Sequence, residues 1–301
     1  MTGLTHGRAV WLMVAVTLMW ATAGVVTRHL EHARSFEVTF WRSLFTAISL
    51  AVILPVWQGR AQVVRKVREG GREIWLSGVC WSVMFTAFMV ALTLTTTANV
   101  LVTMALGPLF TALTARIFIG HRLPTRTWAA IVVAGAGIAW MYATKLEQGQ
   151  GLGTLVALCV PLAAACNWTV VQHASAHGHK IDLVPAVLIG AVISAAVTLP
   201  LAWPLQASAH DISLLAFLGL VQLAIPCTLS VICARVLKAP EVSLLALLEI
   251  IFGIALAWLG AGEVPATQVL TGGALVIGAL VVNEWLGWRV RASVSRGLMA
   301  E

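Results

Sequence analysis

Runs of about 20 mostly apolar residues, the length at which an α-helix crosses about 30 Å of hydrocarbon, recur ten times along this chain. They cover residues 9–27, 38–57, 74–94, 98–119, 126–144, 152–173, 183–203, 212–233, 242–259 and 266–288. The connections are short, the longest being 59–73, and leave no room for an ATPase or other soluble domain. Hydrophobic residues make up 59% of the 301 and charged residues only 10%, against about 45–50% and 25% in an ordinary soluble domain. So few charges cannot cover that much apolar surface in water. The lipid bilayer is therefore the expected partner, and a soluble nucleic-acid binder, a disordered chain and a secreted disulfide scaffold are excluded. The first run is longer than a signal-peptide core and has no small-residue cleavage site before Arg28, so it is expected to remain as a helix.

Lysine and arginine placement gives the expected orientation. With a cytoplasmic N-terminus, fifteen basic residues fall inside: Arg8, Arg60, Arg65, Lys66, Arg68, Arg72, Arg116, Arg122, Arg126, Lys180, Arg235, Lys238, Arg289, Arg291 and Arg296. Only Arg28, Arg34 and Lys145 fall outside, and Arg42 lies within the second run near its outer end. Ten spans then put both termini in the cytoplasm. The net charge of +7 is in this reading a topology signal, and no nucleic-acid partner is expected. The five cysteines all lie within apolar runs without a CxxC pair, and are expected to be free, buried and apolar in character.

The two halves resemble each other. Leu106-Gly-Pro-Leu-Phe110 aligns with Leu248-Glu-Ile-Ile-Phe252 at an offset of 142, and Gly120-His121 then meets Gly262-Glu263. The chain divides into five-helix repeats over 1–145 and 146–301. Five is odd, so the second repeat enters the membrane inverted, and inverted repeats place substrate near mid-membrane between them.

Several short motifs carry a family resemblance. Met19-Trp20-Ala21-Thr22 stands in the first run, Trp41-Arg42 in the second, Gly107-Pro108 in the fourth, Leu248-Glu249 in the ninth and Gly262-Glu263 before the tenth. In order and spacing the chain resembles the drug/metabolite transporter superfamily, EamA type, and is most similar to its YddG-like bacterial exporters of aromatic amino acids. It departs from the family pattern at Ala21, Ile250 and His121. The resemblance implies an all-α membrane protein of ten transmembrane helices in two inverted repeats. It also implies a secondary transporter of the bacterial inner membrane, monomeric or homodimeric, that exports amino acids, aromatic or apolar ones preferred. Other small metabolites or cationic drugs are the alternative substrates. A sugar-phosphate or nucleotide-sugar exchanger and a non-transporting scaffold are less favoured.

Charged groups at membrane depth are costly, so each is a candidate for function. Glu249 is the acidic group nearest the midplane, and Ala246, Gly253 and Ala257 share its face. Those small residues either admit a packed neighbour or leave room for a ligand ammonium. Asn99, Asn167 and Gln222 offer amide donors and acceptors to a substrate, or to a neighbouring helix. Trp20, Trp81 and Trp168 lie deep, and Met84 and Phe85 follow Trp81; they offer stacking surface or core packing. Pro108, Pro161 and Pro226 remove backbone donors within spans and are candidate helix breaks or gating points. Arg42 either attracts an anion at the outer mouth or snorkels and pairs, Glu37 being a possible partner if the helix start is irregular. Trp11, Trp41, Trp57, Trp75, Trp128, Trp203, Trp285 and Trp288 lie near run ends, as an interfacial belt does. His173, His177 and His179 read as a solvated loop rather than a metal site. There is no Walker A sequence, GxSxG or HExxH, so neither ATP drive nor hydrolytic enzyme activity is expected. No cofactor is expected either.

Overall fold

The structure is a computed structural model describing residues 4–33, 35–119, 124–146, 151–176, 184–233, 236–237, 245–246 and 248–297. All regular structure among the described residues is helical. The helices follow the apolar runs: α1 is His6–Thr27, α2 Ser35–Gln58, α3 Arg60–Glu69, α4 Gly71–Leu94, α5 Thr97–Met104, α6 Gly107–Ile119 and α7 Thr125–Leu146. In the second half, α8 is Gly151–Ala176, α9 Val184–Ala202, α10 Ala209–Phe217, α11 Ile225–Cys233, α12 Leu248–Ala261 and α13 Thr267–Gly297. Among the described residues, six helical segments are long and apolar enough to cross a bilayer, and three shorter apolar ones accompany them. This is the composition of a multi-pass membrane protein.

Three departures from the sequence reading have local causes. The connection 59–73 contains the short charged helix α3, of which only Val63 is buried. Its polar surface kept it below any hydropathy threshold. The fourth run is two helices, α5 and α6, separated by a turn at Ala105–Leu106. Pro108 follows as the second residue of α6, a position that needs no intrahelical N–H bond. The eighth run is divided by a π-helical stretch, Leu218–Ala224, between α10 and α11. Pro226 has no N–H to give the Gln222 carbonyl four residues back, which favours a widened turn there. Pro161, by contrast, lies inside α8, which runs on continuously around it.

Around α5 sits the largest buried cluster, built from α4, α5, α8 and α13 with residues of α1, α2, α7 and α12. Hydroxyl and amide bonds also join the helices in the buried interior. Ser43 meets Ser194 at 2.9 Å, and Ser194 meets Thr86 at 2.9 Å, joining α2, α9 and α4. In a bilayer apolar burial does not drive helices together, and such bonds and close packing take over that task. The outward face is accordingly apolar: Val56 and Leu259 are each 83% exposed. Trp11, Trp75, Trp128, Trp203 and Trp285 are also exposed, as the belt reading expects. Trp41 and Trp57 instead pack against core clusters, and the side chain of Trp288 lies outside the described residues. The five cysteines are free; Cys80, Cys227 and Cys233 are buried, whereas Cys159 and Cys166 on α8 are exposed, which corrects the expectation that all are buried.

At one end of the bundle, carboxylates tie the helix ends together. Arg28 donates from Nε to Glu263 Oε2 at 2.8 Å, and from its two terminal nitrogens to the Leu92 and Thr95 carbonyls, each at 2.8 Å. Glu263 also accepts the Thr97 N–H at 2.6 Å and its hydroxyl at 3.0 Å. Gly262, with φ +66°, turns the chain sharply so that Glu263 can do this. Nearby, Asp211 accepts the N–H groups of Glu31, His32 and Ala33 at 2.8–3.0 Å, besides closing a capping box with Ser208. Glu37 accepts those of Gln206 and Ala207. Each carboxylate thus holds the loop that precedes the other's helix.

Candidate functional site

Arg42 sits on the eighth residue of α2, roughly 10 Å along the helix, and is only 2% exposed. That corrects the reading of a snorkelling residue at an outer mouth. Ser35 and Phe36 extend α2 beyond the apolar run, so Arg42 lies about two turns into the helix. Glu37 is not its partner, being committed to the 206–207 loop. The guanidinium instead donates from Nε and Nη2 to Gln222 Oε1, at 3.1 and 2.9 Å. Gln222 in turn donates from Nε2 to the Trp20 carbonyl at 3.2 Å. One amide therefore links α1, α2 and the π-helical stretch.

Aromatic rings from α4 surround the charge. The Arg42 guanidinium carbon lies 5.8 Å from the Phe85 ring centre and 5.7 Å from that of Phe88. Trp81 is tilted against Phe85 at 5.5 Å, and Trp20 packs on the same buried cluster. Two polar atoms in this region are buried without a hydrogen-bond partner among the described residues: Arg42 Nη1 and Trp81 Nε1. Glu249, in the first turn of α12, lies within electrostatic reach of Arg42 and of Cys227. It forms no ion pair within 4.0 Å and no hydrogen bond among the described residues, and it is only partly buried.

Energetically this is an incomplete arrangement. Taking a guanidinium out of water costs several kcal/mol after relaxation, and arginine cannot shed its charge. A neutral amide oxygen and two ring faces, the latter worth about 2 kcal/mol or more when desolvated, offset part of that. The region has a fixed cation, a carboxylate nearby and broad aromatic surface, with donors to spare.

The structure brings Trp20, Trp81, Phe85, Gln222 and Glu249 towards one region, with Pro226 just beyond Gln222. It places others elsewhere. Met84 faces the large central cluster. The Asn99 amide donates to Thr95 at 3.1 Å and to Thr154 at 2.6 Å, tying α5 to α8. Asn167 accepts from Ser77 at 2.6 Å, tying α8 to α4. The face of α12 that carries Glu249 packs closely at Gly253, where an added Cβ would strike Leu101. Its small residues therefore admit a neighbouring helix. The side chains of Pro108, Trp168, His173, His177 and His179 lie outside the described residues.

Comparison with known proteins now bears on the reading. Residues 7–143 match the profile of the EamA-like transporter family. This chain carries an EamA-like transporter domain. It is also similar to the pseudopaline exporter CntI of Pseudomonas aeruginosa strain UCBPP-PA14, with 22% identity over 251 residues, 81% of this chain and 84% of the relative. The CntI of the PAO1 strain matches at the same identity and coverage. A solved crystal structure, 17% identical, superposes with a TM-score of 0.61 over 94% of this chain and 99% of its own, and shows a shared fold. These relatives point to a transporter rather than an enzyme.

Proposed function

We propose that this protein is an inner-membrane secondary exporter of amino acids, aromatic and apolar ones preferred, working by alternating access. The observation that carries the reading is Glu249: a carboxylate without a hydrogen bond among the described residues, within electrostatic reach of Arg42, whose buried guanidinium lies against Phe85 and Phe88. Such a region suits a zwitterion with an apolar side chain, whose ammonium Glu249 would meet. Relatives named for export support the direction. In this reading ten spans form inverted repeats over 1–145 and 146–301, both termini are cytoplasmic, and the carboxylate-tied end of the bundle faces outward. Asn99 and Asn167 then hold the wall of the pathway, and the Pro226 break permits movement. Flux is driven by the amino-acid gradient, with or without a coupled proton.

Purified protein in liposomes should move labelled phenylalanine, tryptophan or leucine down a gradient. Movement of sugar phosphates without amino acids would overturn the substrate class.

A further inference from the structure

We infer that Arg42 is the receptor for the substrate's carboxylate, with Gln222 as the residue that positions it. The inference rests on the amino-acid reading above and assigns which group of the solute is recognised, and by what. Gln222 Oε1 takes the edge of the guanidinium formed by Nε and Nη2. Nη1 is left buried and without a partner among the described residues, and with the second N–H of Nη2 it forms a two-donor fork of the kind that carboxylates fit. The amide is itself held by the Trp20 carbonyl, so it cannot swing away and the guanidinium plane is fixed. The rings of Phe85 and Phe88 beside the guanidinium keep water off it, which strengthens a charged bond made there. No acidic side chain pairs with it within 4.0 Å among the described residues. Glu249 is near enough to feel Arg42 yet not bonded to it, which suits a zwitterion set between them, carboxylate towards Arg42 and ammonium towards Glu249. Trp81, whose Nε1 is also buried without a partner, adds a donor on the same side of α4.

The experiment uses the full-length protein in liposomes, with labelled phenylalanine flux competed by unlabelled phenylalanine or by phenylalaninamide, which lacks the carboxylate. The wild-type protein should need about 100-fold more amide than phenylalanine for half-inhibition, the penalty for leaving a charged donor unpaired. In Arg42→Met the two competitors should converge to within a few-fold, and in Arg42→Lys part of the preference should return. Equal competition in the wild-type protein would overturn the inference without any variant being made, and where Arg42→Met does not fold, a preference left unchanged in Arg42→Lys overturns it instead. Full discrimination retained by a folded Arg42→Met protein would overturn it as well. If the wild-type protein moves no amino acid at all, the amino-acid reading itself falls, a result distinct from flux without carboxylate discrimination.

Discussion

Two side chains in the interior differ in what their polar groups still lack. Asn99 has two threonine hydroxyls as acceptors, whereas the Glu249 carboxylate accepts no hydrogen bond among the described residues. That difference separates a structural amide from a binding group, and gives opposite expectations for the two. Asn99→Ala should lower stability by about 1–2 kcal/mol, read as a fall in the thermal midpoint in detergent, with flux per folded molecule unchanged. Glu249→Gln should keep its midpoint and lose at least 10-fold in phenylalanine flux; normal kinetics in the folded variant would assign Glu249 a structural role. The sequence exposed both residues, since polar groups in apolar runs stand out, but it could not say which was already satisfied. Arg42 stood out too, but its burial did not. A hydropathy pattern shows that a charge lies in a span and not which side of the helix it occupies, and Arg42 lies on the side that faces the protein interior.

Elements were legible to the extent that hydropathy forms them. The long apolar helices lie where the runs placed them, because length and apolarity are what a bilayer selects. The π-helical stretch at Leu218–Ala224 was not legible as such, although Pro226 four residues after Gln222 marks where the ladder is broken. That stretch packs on α2 through Gly219, where an added Cβ would lie 2.5 Å from Phe45 Cβ and 2.9 Å from the Arg42 carbonyl. Gly219→Ala should therefore push the two elements apart, destabilising by about 1–3 kcal/mol and disturbing the Arg42–Gln222 bond, so that midpoint and flux fall together. Gly278→Ala is the matched control: nothing lies within 4 Å of its Cβ position, and thermal midpoint and flux should stay at wild-type values. Equal losses at both sites would mean that helix flexibility, not the close approach at Gly219, matters.

For the molecule as a whole, the orientation expected from the basic residues puts the carboxylate-tied end of the bundle outside, and labelling tests that. A cysteine at His32, an exposed position, should react with an impermeant maleimide from outside intact cells, and one at Arg68 on α3 only after lysis, in a background freed of the native cysteines. Same-side labelling would remove the inverted-repeat topology. At the carboxylate-tied end, the Arg28–Glu263 pair is partly buried, with side chains 27% and 14% exposed, so losing one charge should destabilise by about 2 kcal/mol. Glu263→Gln should show this as a lower midpoint. Exchanging the charges tests more. In a simple ion pair, Arg28→Glu with Glu263→Arg would restore stability. Here Arg28 also donates to two carbonyl oxygens, and Glu263 accepts a backbone N–H. After exchange a carboxylate would face carbonyls and a guanidinium would face an amide hydrogen, each repelling what it meets. The double variant should thus be no more stable than Glu263→Gln. A rescued midpoint would show instead that the two side chains act as an isolated pair, and that the end of the bundle is not held by the network around them.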